Sequence, residues 1–438
     1  MRTHHLEVLM SVVAVPSAPT APEVLAPVID QERIELLDVL RGLALLGVVV
    51  ANVWLWFSGI AFRFPAYLDE LRQVSLDSAV FFVIGVFVSG KAMSTFSFLF
   101  GLGFAIQMLR AEARGRSVVP VYARRLAVLL VIGTAHMVLL WYGDILAAYA
   151  ALGFALMLFR KRRDRTVLMW AAILVAAVPL LLGGIPWAAA SFGAELPQPK
   201  LEEIAQRNAA TLAVFQAGSY PDILTANLEQ AGKFYLGRKA PWVLYILGLF
   251  LLGLYVGRRR VLEAPEAYRP QLRRIAQWGI PVGLAGSTGS AVMQTIVPVD
   301  ALMSQPPLIF LSMVLFTVGT VPLAAGYVSA VTLLFARPEV RRRLALFAPA
   351  GRMALTNYLS QTVIMLLIFY PYGGGLIGRT GPAVGLSIAL AVFAVQMAWS
   401  RAWLARFQFG PMEWVWRSLT YGRLQPMRIP QRVAPLAG

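Results

Sequence analysis

The stretch Arg124 to Arg163, RRLAVLLVIGTAHMVLLWYGDILAAYAALGFALMLFRKRR, is apolar along most of its length and closed by basic residues at both ends. As a single helix it would be about twice the length needed to cross a hydrocarbon core of roughly 30 Å at ~1.5 Å per residue. It therefore predicts a hairpin of two spans, with both basic ends on one side of a membrane. Trp141, Tyr142, Gly143 and Asp144 mark the turn, since aromatics favour the interface and Gly-Asp ends one helix and caps the next. His136 then lies inside the first span, towards its outer end. The other histidines are His4 and His5, so any intramembrane imidazole chemistry belongs to His136.

Apolar runs of this kind recur along most of the 438 residues, of which 58% are hydrophobic and only 14% charged, and the expected fold class is all-α: a polytopic integral membrane protein. The net charge of +17 comes from arginines clustered at the ends of apolar segments. That distribution points to topology and membrane-lipid contact, and away from nucleic acid. The absence of cysteine excludes disulfides, thiolate catalysis and cysteine-based metal centres. Fifteen methionines beside three histidines form no metal-ligand cluster, so no metal is expected. Neither a P-loop nor an H-E-x-x-H motif is present.

Residues 1–32, rich in Ala, Val and Pro, read as a disordered leader. Residues 33–405 form the expected transmembrane bundle, starting with a span at about Leu36 to Phe57. The run from Ser78 to Leu109 is too long for one simple span and too short for two; it is expected to enter as a re-entrant or outer segment before Lys91 and then cross once. Later spans fall at about 166–190, 241–257, 275–297, 307–335, 350–371 and 382–404, giving about ten in all. Basic residues crowd the connections 110–125, 160–165, 258–274 and 337–352, whereas those around 58–76, 191–240, 298–306 and 372–380 carry fewer. By the positive-inside rule the crowded side is cytoplasmic, which places both termini inside a bacterial inner membrane. The 191–240 loop contains an amphipathic helix suited to a lid on the outer surface, and 406–438 has the composition of an interfacial tail.

The polar groups set within these spans are the candidate site residues. Asp38 and Arg41 stand at i and i+3 on one helix face, either a local ion pair with a snorkelling arginine or a site for anionic phosphates. Asn52, eleven residues on, is a polar group deep in the same helix. Lys91 is costly in hydrocarbon and should face a cavity or a carboxylate, with Asp77 and Asp144 as candidates. His136 suits a general base with Asp144 as its orienter, or else a hydrogen bond to a neighbouring helix and an N-cap. Arg352, Asn357 and Gln361 lie on polar stripes of GRMALTNYLSQ, which must face protein or water.

LDVLRGLALLGVVVANV, GKAMSTFSFLFGLGF, HMVLLWYGDILAAYAALG, GRMALTNYLSQ and FGPMEWVWRSLTYGR, in this order, resemble the YeiB-like family of bacterial inner-membrane proteins, a family without a settled activity. Through the first span, the resemblance extends distantly to membrane acyltransferases. It implies a cytoplasmic acyl thioester such as acyl-CoA as donor, held by Arg41 and Arg352, and a cell-envelope acceptor. The sequence also departs from those enzymes. Asn52 stands where one group carries a histidine, and Ala61, Phe62 and Arg63 where another carries its reactive histidine. The alternative is a transporter or flippase of a small or lipid-linked substrate, its path lined by Lys91, Asp144, His136, Asn357 and Gln361.

Topology reporters fused after residues 165, 265 and 345 are expected to report the cytoplasm, and those after 215 and 300 the outside. A cytoplasmic 191–240 loop contradicts the orientation.

Overall fold

The computed structural model describes residues 34–429 except 65, 72, 74, 197–199 and 237–239. The expected leader, 1–32, lies outside the described residues. The described residues are mainly helical with no strand, apart from an isolated bridge between Phe407 and Arg428.

Helix α1 (Glu35–Asn52) runs on into a π-helical turn, Val53–Phe57. Helices α2 (Leu76–Phe87) and α3 (Lys91–Ala113) form a single crossing interrupted between them. Gly90 makes the break with φ +78°, and a Cβ there would press on Phe316 at 2.7 Å and Thr320 at 3.0 Å. Next come α4 (Val119–Leu139), α5 (Leu146–Leu158) and α6 (Asp164–Pro179). A helical hairpin, α7 (Leu201–Ala217) and α8 (Tyr220–Leu236), precedes α9 (Ala240–Arg258), α10 (Arg269–Ile296) and α11 (Pro306–Phe335). The chain closes with α12 (Ala348–Arg352), α13 (Ala354–Phe369), α14 (Pro382–Leu404) and α15 (Pro411–Tyr421).

Among the described residues, seven helices are long and apolar enough to cross a membrane, or eight with the pair Pro338–Arg352 and Ala354–Phe369, which bends by 75° at Met353. The expected ten is therefore an approximate count. Two of the expected spans are helical but fail on length or composition. Helix α5 has only 13 residues. Helix α10 is long, but Gly279, Gly283, Gly286, Ser287 and Ser290 dilute its hydropathy. Those small residues are its contact surface: Gly279 meets the Pro322 carbonyl of α11, and Ser287 Oγ donates to the Gly319 carbonyl at 3.0 Å.

The arginine-rich connections meet one another at one end of the bundle. Arg258 donates to the carbonyls of Phe159 (2.7 Å), Arg160 (2.6 Å) and Arg162 (2.8 Å), and Arg341 pairs with Glu35. Helix α15 docks on this same end. Trp416 Nε1 donates to the Arg125 carbonyl at 2.9 Å, while the Arg125 guanidinium lies 4.0 Å over the Trp416 ring. The α7–α8 hairpin packs across the opposite end. Tyr220 donates to the Leu139 carbonyl (2.7 Å), Asn227 to that of Leu140 (3.1 Å) and Gln216 to that of Ile377 (3.1 Å). Phe215 is buried there against Phe62, Tyr142 and Tyr370.

Helix α1 is held at its arginine-rich end by α12. A methyl group on Gly351 would overlap the Asp38 carbonyl, and one on Gly42 would overlap the Phe347 carbonyl. The two backbones touch, with no room for a side chain between them. Gly351→Leu is expected to lower the stability of the purified protein by about 1–3 kcal/mol or more, read as thermal unfolding in detergent. Gly85→Ala, where an added Cβ meets nothing within 4 Å, should be neutral or stabilising. Equal unfolding temperatures for the two variants would remove the claim that this contact sets the helix spacing.

Candidate functional site

A cavity of about 750 Å³ runs through the bundle beside α1. Arg41 lines it near the arginine-rich end and Asn52 lines it deeper. Eleven residues of helix at ~1.5 Å each separate the two by about 16 Å, roughly half a hydrocarbon core. Its arginine-rich mouth is bordered by Arg41, Arg110, Arg114, Arg125, Arg352 and Arg417, with Asp38 and Glu413 as the carboxylates among them. Arg114 is exposed and the other five are half-buried, so the mouth meets solvent while holding its charges at a low-dielectric wall. Further in, the wall turns apolar, with Leu45, Val48, Phe96, Phe100 and Ile246. The far end is lined by Trp56, Tyr142, Asp144 and Tyr235.

The mouth is assembled by the backbone contact between α1 and α12. Because Gly42 and Gly351 touch, their neighbours Arg41 and Arg352 border one space. Arg41 Nη1 pairs with Asp38 Oδ1 at 2.9 Å, the i, i+3 ion pair read from the sequence. Gly103 on α3 faces this side chain, and a Cβ there would stand in ordinary contact with it, 3.9 Å from Arg41 Nη2. Glu413 fixes the other side of the mouth. Its Oε1 accepts the Leu355 and Thr356 N–H groups at 2.6 and 3.1 Å, and its Oε2 accepts the Thr356 hydroxyl at 2.5 Å. It thereby caps α13 just after the bend. Burial raises the Glu413 pKa, against the opposing pull of these hydrogen bonds.

Asp144 and His136 form a closed chain of contacts at the far end. Asp144 Oδ2 accepts the Ala147 N–H at 2.7 Å, capping the start of α5, and its backbone carbonyl accepts the Tyr235 hydroxyl. Asp144 Oδ1 lies 2.8 Å from His136 Nδ1, and His136 Nε2 lies 2.9 Å from Thr362 Oγ1. Both ring nitrogens are therefore engaged. The carboxylate and the imidazole are each about 3% exposed or less, yet only Asp144 reaches the cavity wall; His136 and Thr362 stand behind it. The carboxylate–imidazole–hydroxyl order is that of a relay between three helices, α5, α4 and α13.

The other site residues separate. Lys91 lines a second cavity, and its amine donates to the Gly85 carbonyl at 3.0 Å. Neither expected carboxylate reaches it, because Asp77 Oδ1 accepts the Ala383 N–H at the start of α14 and Asp144 is bound as above. Asn357 and Gln361 form a polar seam between α13 and α14 and border neither cavity. Asn357 donates to Ala350 O and Ser400 Oγ, and Gln361 donates to Gln396 Oε1 at 2.8 Å. Asp144, Arg41, Asn52 and Arg352 thus share one space with each other but not with His136, Lys91, Asn357 or Gln361. Sequence reasoning missed Arg110, Arg114, Arg125, Arg417 and Glu413 as wall residues, having read the arginines as topology markers. Arg125, at the very start of a predicted span, and Glu413, just before Trp414 and Trp416, carried the signal.

Residues 256–423, from the end of α9 to the end of α15, match a family model described as a protein of unknown function, DUF418. The chain is 35% identical over 425 residues to the uncharacterized protein YxaH of Bacillus subtilis (strain 168), covering 92% of this chain and 98% of that one. It is 29% identical over 411 residues to an uncharacterized 39.9 kDa protein in the amylase 3' region of Bacillus acidopullulyticus, covering 92% and 97%. To the uncharacterized protein YeiB of Escherichia coli (strain K12) it is 27% identical over 408 residues, covering 89% and 96%. Matched over nearly its whole length by these relatives, the chain belongs to the YeiB-like, DUF418 family of uncharacterised proteins.

Proposed function

We propose that the protein is a transmembrane acyltransferase of the bacterial inner membrane, taking an anionic acyl thioester such as acyl-CoA from the cytoplasm. The observation that carries this reading is the single cavity that joins six guanidiniums at one end to the Asp144 carboxylate near the other. Clustered guanidiniums are the chemistry of phosphate binding, and the apolar stretch beyond them suits an extended acyl or pantetheine chain. With the arginine-rich end cytoplasmic and both termini inside, a soluble donor reaches the mouth directly and a cell-envelope acceptor meets it from the opposite side.

In this reading Arg41 and Arg352 hold donor phosphates, and Asn52 offers an amide beside the chain. The acceptor hydroxyl or amine attacks the thioester carbonyl, forming a C–O or C–N bond as the C–S bond breaks. Its proton passes to the Asp144–His136 pair and from there to the leaving thiolate, so no other reactant is needed. Asp144 is the group that touches the reacting atoms, and His136 acts behind it as a positioning and proton-sharing residue.

A transport reading is favoured by a different observation. The crossing of α2 and α3 is interrupted at Gly90, the span containing α13 bends by 75° at Met353, and Gly90 and Arg352 beside these breaks line the cavity. Interrupted helices of this kind are where transporters place their substrates.

Purified protein in nanodiscs, given labelled acetyl-CoA and envelope extract, is expected to transfer label. Arg41→Gln should raise KM for the donor by about tenfold or more, the loss of one charge-assisted contact to phosphate. His136→Gln should lower kcat by about a hundredfold or more at unchanged donor KM. Wild-type protein that transfers nothing but carries an extract component into proteoliposomes is a transporter.

A further inference from the structure

A second cavity, of about 660 Å³, lies between α2, α3, α10 and α11. It adjoins the first through Trp54, Leu55, Ser89 and Phe316, which line both. Lys91 is 3% exposed at its wall, and among the described residues the only hydrogen bond of its amine is to the Gly85 carbonyl. No described carboxylate lines this space. An ammonium buried without a counter-charge is costly, and one carbonyl offsets only part of that cost, so a negative group in the cavity would be held strongly.

The remaining lining indicates what that something is. Ser75, Ser78 and Ser290 offer hydroxyls, Gln73 and Gln294 offer amides, and Phe81 and Trp54 present aromatic surface. Hydroxyls and amides beside aromatic faces suit a compact polyhydroxylated molecule, and the lone cation selects one that carries a negative group. We propose that this cavity is a binding site for a small hydroxyl-bearing anion, a carboxylate or a phosphate monoester, whose charge is met by Lys91. The site does not depend on the acyl-transfer reading, because its occupancy is measured without any acyl donor.

Binding is followed by the fluorescence of the full-length protein in nanodiscs, where Trp54 borders the site. The probes are glucuronate and glycerol 3-phosphate, with glucose and glycerol as their uncharged counterparts. Saturable binding of one or both anions is expected, and which of them binds separates carboxylate from phosphate recognition. The matching neutral compound, and Lys91→Met, should each weaken binding by about thirtyfold or more, the loss of one buried charge contact. Lys91→Arg should retain it within a few-fold, and Arg125→Gln, in the first cavity, should leave it unchanged.

Gly85→Leu provides a second route that keeps the ammonium. Gly85 lines the same cavity and an added Cβ meets nothing within 4 Å, so the larger side chain fills the space without a clash at its root and should abolish binding. The proposal is overturned if neither anion binds saturably. Equal binding of the neutral compounds, or binding unaffected by both Lys91→Met and Gly85→Leu, also overturns it. So does loss of binding in Arg125→Gln with Lys91→Met unaffected, which would move the anion to the first cavity.

Discussion

The backbone contact of Gly42 with α12 and of Gly351 with α1 is the constraint on which the rest of the arrangement depends. Two helices approach this closely in a membrane only where neither carries a side chain, since no hydrophobic driving force separates protein from lipid tails and packing alone decides. Each glycine is followed or preceded by an arginine, so the closest approach of the two backbones brings Arg41 and Arg352 to one opening. The bend at Met353 follows directly after α12, and Glu413 from the far end of the chain satisfies the N–H groups that the bend frees. Two distant motifs and the tail thus meet at one mouth.

Most of the charged and amide side chains inside the bundle are held by a polar neighbour. Asp38 holds Arg41, Asp144 holds His136, and Asn357, Gln361, Gln396 and Ser400 hold one another. Pairing removes the desolvation penalty of these groups and also fixes the helices that carry them. Lys91 differs, its amine meeting a lone carbonyl with a cavity in front of it. A departure of this kind in the low-dielectric interior marks a place where the protein meets something other than itself.

Much of this was legible in the sequence, for physical reasons. Hydrophobic length and arginine spacing are one-dimensional signals, and they located the hairpin turning at Trp141–Asp144, the break before Lys91 and the Asp38–Arg41 pair. What they could not give was depth relative to a neighbour. His136 and Asp144 were both read as site residues, but which of the two faces the cavity depends on how α4 rotates against α13, where Thr362 supplies the second hydrogen bond. Asn357 and Gln361 were read as facing protein or water, and the pattern alone does not choose between them; the facing Gln396 and Ser400 on α14 do. The span expected at 275–297 is present as α10, and its weak hydropathy follows from small residues that serve contact with α11 in place of lipid.

What occupies the first cavity decides whether the protein transfers acyl groups. A cryo-EM map of the protein in nanodiscs with a hydrolysis-resistant thioether analogue of acyl-CoA tests it most directly. Acyl transfer predicts density for the phosphates against Arg41, Arg125 and Arg352, with the chain following α1 past Asn52 towards Asp144. An analogue bound elsewhere, or a first cavity closed by its own side chains in protein that transfers acyl groups, would contradict it.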